Sequence, residues 1–144
     1  MIFVNTLNQI MNYWLVKSEP FKYAWNKFLA DKETFWDGVR NYQARNNLKG
    51  MKVGDLVLYY HSNEGKEVVG IARVSKEFYQ DPTTEDLNWV VVNLVPVQTL
   101  NKPVTLKQIK NEPLLTSMEL VKQGRLSVTQ VSQNEFDKVL EMGA

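Results

Sequence analysis

The chain has 144 residues, 17 Lys and Arg against 16 Asp and Glu, a formal net charge of +1, no cysteine and one histidine, His61. That length suits about one domain. The lack of cysteine excludes disulfides, iron–sulfur clusters, zinc knuckles and cysteine nucleophiles, and one imidazole excludes a multi-histidine metal centre. A charge near zero gives no whole-chain argument for nucleic acid, so any positive surface must come from how the charges are arranged.

Residues 1–11 read as an N-terminal extension and 12–144 as a single domain. The first ten residues have no basic start and no long apolar run, so no signal peptide is expected. No window approaches the ~18 apolar residues of a membrane span. The expected compartment is the cytoplasm.

Tyr13–Lys17 is a short apolar run and predicts a core strand. It stops at Ser18-Glu19-Pro20, where Ser18 can cap a helix and Pro20 can open one. Phe21, Trp25, Phe28 and Leu29 recur at helical spacing. Asp31–Thr34 breaks that pattern. Trp36–Asn41 predicts a loop with a tight turn at Gly38, and Tyr42–Leu48 a helix closed by Gly50. Lys52–Asp55 turns into a strand over Leu56–Tyr60, and His61–Gly65 forms a polar connection to a strand over Glu67–Ser75. Gly70 inside that strand marks a bulge or a close backbone approach. Asn88–Val97 is β-rich, and Pro96 makes its far end an edge or a bend. Thr105 with Gln108, and Ser132 with Glu135, are capping-box signatures for two helices. Pro113 stops the first, Ser117–Gln123 adds a short helix, and Arg125–Val131 alternates as a strand. The fold class is α+β: a mixed or mainly antiparallel sheet of about five or six strands, curled toward a small barrel, with short helices packed around it.

His61 with Ser62, Ser18 or Asp55 assembles into a triad only on paper, since no glycine-flanked nucleophile turn is present. No catalytic residue, metal site or cofactor is expected. Trp36–Lys52 stands apart. It holds Arg40, Arg45, Lys49 and Lys52 against Asp37, a local excess of +3, with Asn41, Gln43, Asn46 and Asn47 and the aromatics Trp36 and Tyr42. Guanidinium groups suit phosphates, amides can read a base edge, and aromatic faces stack on bases. A solvated loop anchored by two aromatics explains the same composition equally well. Trp14 and Trp89 are read first as core. Arg125 with Ser127 adds a possible phosphate or base contact.

Several ordered motifs carry a resemblance. Tyr13–Pro20 (YWLVKSEP), Trp36–Asn46 (WDGVRNYQARN), Met51–Ser62 (MKVGDLVLYYHS), Gly70–Ala72, Tyr79 with Asp81–Thr83, and Gly124–Val128 (GRLSV) together resemble the EVE domain family. The resemblance implies a PUA-like curled β-barrel, the fold of the PUA, ASCH and YTH domains. The resemblance implies a non-catalytic module that takes a flipped modified base of DNA or RNA in an aromatic-lined pocket with a basic rim. It implies that Ser18, Glu19 and Pro20 sit at the mouth. Trp36, Val39, Arg40, Asn41, Tyr42, Gln43, Arg45 and Asn46 would line the pocket. Tyr60, His61 and Ser62 would form another wall, and Arg125 and Ser127 the far side. Two departures stand out: only Thr84–Asn88 separates Thr83 from Trp89, and the helix after Pro20 is unusually aromatic. The expected partner is DNA or RNA with a modified base, with no membrane, and the chain is expected to be a monomer. An enzyme on a modified nucleotide using His61, or a protein-interaction scaffold, are the competing readings.

Overall fold

The computed structural model describes residues 11–144. Six strands form one mixed sheet, and the expected strands and helices appear in order, with an unexpected short strand added at Thr34–Phe35. β1 (Tyr13–Ser18) runs parallel to β3 (Leu56–His61) and antiparallel to β6 (Val128–Val131). β3 continues into β4 (Glu67–Gln80), which pairs along its length with β5 (Val90–Thr105). β2 (Thr34–Phe35) adds a two-residue edge against Leu94 and Asn93 of β5. The sheet therefore ends at β2 and β6 and is not closed, which corrects the expected barrel to a curled open sheet. The physical reason is strand length: the two edges are two and four residues long, and no pairing joins them among the described residues.

Alternation along the strands sorts side chains to two faces. Trp14, Val16, Val57 and Tyr59 enter one cluster with Trp25, Phe28, Trp36 and Leu48. Leu15, Leu58 and Tyr60 enter the other with Ile109, Leu115, Leu120 and Phe136. The first face is covered by α2 (Trp25–Asp31) and α3 (Tyr42–Gly50). The second is covered by α4 (Leu106–Lys110), a 3-10 turn at Pro113–Leu115, α5 (Glu119–Lys122) and α6 (Gln133–Met142). Both expected capping boxes form, Thr105 with Gln108 and Ser132 with Glu135.

Pro96 is tolerated in β5 because it lies beyond the short β2 pairing, at a shift in register between Ile71 and Ala72 of β4. Gly50 is the last residue of α3 rather than its cap, and it lies against the Trp14 ring. Trp89 precedes β5 and belongs to neither cluster, against its expected place in the core.

The aromatic segment after Pro20 is two helices, not one. α1 (Pro20–Tyr23) and α2 are separated by Ala24 in extended conformation. Three side chains hold this break. The Ser18 and Tyr59 hydroxyls each donate to the Tyr23 carbonyl at 2.7 Å, and the Trp25 N–H donates to His61 Nε2 at 3.0 Å. These bonds take up backbone groups that a continuous helix would pair internally.

Candidate nucleic-acid interface

A cleft of about 660 Å3 opens where the end of β1, α1, β2 and the loop before β6 meet. That volume lies in the ~300–1,000 Å3 range of small-molecule sites. β1 and the turn after it bring Lys17, Ser18 and Glu19, and α1 brings Lys22 and Tyr23. β2 and the loop that follows bring Thr34, Phe35, Trp36, Asp37, Gly38 and Val39. Ser62 enters from the end of β3, and Gly124, Arg125 and Ser127 from the loop before β6.

The walls are tied together by backbone and side chain. Lys17 N–H donates to the Ser127 carbonyl at 3.0 Å, and Ser62 N–H to the Ser18 carbonyl at 2.9 Å. Lys17 Nζ donates to the Gly124 carbonyl at 2.6 Å, and burial pushes its amine below the usual lysine range. Trp36 stands edge-on to Tyr23 and Tyr59, with ring centroids 6.2 and 5.5 Å away. One side of this indole is core and the other faces the cleft. Burial pushes the Tyr59 phenol far above the usual range, so it remains a hydrogen-bond donor.

Asp81 fixes the loop that forms one wall. Its carboxylate is fully buried and accepts from Gly38 N–H at 3.1 Å, from Arg40 Nη1 at 3.0 Å and from Thr83 N–H at 2.7 Å. Burial alone would raise its pKa. The Thr83, Gly38 and Arg40 hydrogen bonds outweigh that and hold it at about 2. Gly38 adopts φ +80°, the left-handed turn expected there.

Of the residues singled out from the sequence, Ser18, Glu19, Trp36, Val39, Ser62, Arg125 and Ser127 line the cleft. Pro20, expected at the mouth, opens α1 and does not line the cleft. Asn41 caps α3 by accepting from Ala44 N–H, and with Gln43 it lines an adjoining groove that shares Gly124 and Arg125 with the cleft. Arg40 is paired with Asp81, and Asn46 accepts from Arg45 Nε. Tyr42 lies outside the cleft against Trp89, with Arg45 above it. Tyr60 does not reach the cleft. It is buried on the opposite face, because residues adjacent in a strand point to opposite sides, and its phenol is pushed up to about 12 by burial and then by Glu67. His61 is committed as acceptor for the Trp25 N–H, and burial lowers its pKa.

Lys17, Lys22, Tyr23, Thr34 and Phe35 line the cleft without having been singled out from the sequence. Lys17 lies inside the opening motif, and Tyr23 inside the aromatic run. Thr34 and Phe35 form a strand too short to carry a periodic signal.

The chain belongs to the EVE domain family, whose model matches residues 12–142. Mouse thymocyte nuclear protein 1 is 34% identical, covering 97% of this chain and 77% of its own. A crystal structure of a protein from Agrobacterium tumefaciens is 47% identical with a TM-score of 0.90, covering 92% of this chain and 93% of that one. Human thymocyte nuclear protein 1, solved in complex with DNA containing 5-methylcytosine, is 31% identical with a TM-score of 0.85, covering 92% and 97%. An ASCH protein from Zymomonas mobilis, 13% identical with a TM-score of 0.58, shares the fold over 92% of this chain and 96% of its own.

Proposed function

We propose that this chain is a non-catalytic module that takes a flipped, methylated base of DNA into the cleft at the end of β1. The observation that carries this reading is the cleft itself. Tyr23, Phe35 and Trp36 supply aromatic surface, and three cations, Lys17, Lys22 and Arg125, stand against two carboxylates, Glu19 and Asp37. That near balance suits an uncharged heterocycle within and phosphates at the rim. The human relative crystallised with 5-methylcytosine DNA supports the same ligand class. The engagement of His61 with the Trp25 N–H favours binding over proton transfer. The chain acts in the cytoplasm, as a monomer.

Fluorescence anisotropy with matched oligonucleotides tests it. The set holds plain and methylated cytosine and adenine in single-stranded DNA, duplex DNA and RNA. One buried methyl adds about 0.8 kcal/mol, so the preferred methylated strand is expected to bind about fourfold tighter than its plain counterpart. Equal binding to every member overturns base recognition, and tighter binding to modified RNA reassigns the partner.

A further inference from the structure

We infer that an aromatic ladder beside the cleft is a second nucleotide subsite, which stacks the unpaired base next to the one held in the cleft. This rests on the reading of the cleft as a base site. Tyr42, the first residue of α3, stacks on Trp89 with ring centroids 5.0 Å apart and planes 29° from parallel. The Arg45 guanidinium carbon lies 5.0 Å from the Tyr42 centroid, and that of Arg40 lies 5.7 Å from the Trp89 centroid. Neither ring belongs to a core cluster, and Tyr42 is 58% exposed. Trp89 is part-buried, so the surface that the pair offers to water is mainly that of Tyr42.

Both cations are set in advance. Arg40 Nη1 is held by Asp81 at 3.0 Å, and Arg45 Nη1 by the Asn88 carbonyl at 3.1 Å. Ordering them on binding therefore costs little further entropy. Aromatic rings and guanidinium planes are the surfaces on which unstacked bases rest, and the positive charge suits the intervening phosphate. The ladder is also joined to the cleft. Asp81 Oδ2 accepts from both Gly38 of the cleft wall and Arg40 of the ladder. A groove lined by Asn41, Gln43, Gly124 and Arg125 adjoins the cleft, and Asn41 and Gln43 flank Tyr42 in the chain. A base still stacked in a duplex has no free face to offer, so the occupant is a splayed or single-stranded neighbour.

The test titrates 5-methyldeoxycytidine and a single-stranded trinucleotide with central 5-methylcytosine against wild type, Tyr42→Ala and Tyr42→Phe. Tyr42→Ala is expected to weaken the trinucleotide about tenfold. It should leave the nucleoside unchanged, and Tyr42→Phe should restore the trinucleotide. Should Tyr42→Ala not fold, Tyr42→Leu keeps the bulk without the π-face and is expected to show the same loss. Equal trinucleotide binding by wild type and the truncated variant overturns the ladder while nucleoside binding keeps the cleft. Loss of nucleoside and trinucleotide together in a folded variant also overturns it, because Tyr42 would then act through the cleft. If wild type binds neither probe, both readings fall.

Discussion

A Cβ built on Gly70 would lie 2.3 Å from Trp25 Cζ2. That indole is anchored on its other side, where Nε1 donates to Thr99 Oγ1 at 2.8 Å, so it has little room to retreat. Gly70→Ala must therefore move β4 or expel Trp25 from its contacts with Phe28 and Tyr59. Overpacking of this kind costs about 1–3 kcal/mol. Urea unfolding at neutral pH should show the midpoint falling accordingly, and an unchanged midpoint would mean that Trp25 repacks freely. The sequence marked Gly70 as a bulge or a close approach, and both are present, since the pairing of β3 with β4 and of β4 with β5 shifts beside it. The identity of the approaching ring was not legible, because Trp25 reaches it only through the tertiary fold.

At the scale of elements, the junction of α1 and α2 depends on a neutral His61. Nε2 accepts the Trp25 N–H, and a proton there removes the acceptor. Burial lowers the imidazole pKa from its ordinary 6.5, with Glu67 opposing the shift. The folded pKa thus lies below the unfolded one, and the unfolded chain binds the proton first. The stability from neutral His61 is complete above about pH 6.5 and is lost as pH falls through the folded pKa. The urea midpoint of the wild type is expected to fall between about pH 7.5 and 5.5. His61→Gln, whose amide oxygen can still accept, should flatten that slope. Equal slopes in both proteins would remove His61 as the cause. Capped helices such as α4 and α6 were legible because Thr105, Gln108, Ser132 and Glu135 act within one turn. The break at Ala24 was not, because its partners Tyr59 and His61 lie on β3.

Across the whole molecule, a charge of +1 means that affinity for nucleic acid must be local. Arg40 and Arg45 lie with the ladder, and Lys17, Lys22 and Arg125 with the cleft. α4 covers the opposite core. Arg45→Ala should lower the slope of log affinity against log salt by about 1 for a lost phosphate contact. Lys110→Ala, at an exposed position of α4, should leave that slope unchanged. Equal effects of the two substitutions would mean that no footprint is localised at the ladder.

Elements with local signals were legible in the sequence: apolar runs for β1, β3, β4 and β5, alternation for β6, capping boxes for α4 and α6, and the turn at Gly38. The ordered motifs also pointed to the EVE family. Long-range packing left the sheet open, turned Tyr60 away from the cleft, and brought Trp89 out of the core to meet Tyr42. It alone joined Lys17, Tyr23, Trp36 and Arg125 around one cleft. The reason is physical. Periodicity and caps act over a few residues, whereas strand order and the facing of a site follow from long-range pairing, here the parallel match of β1 with β3 and the antiparallel match with β6.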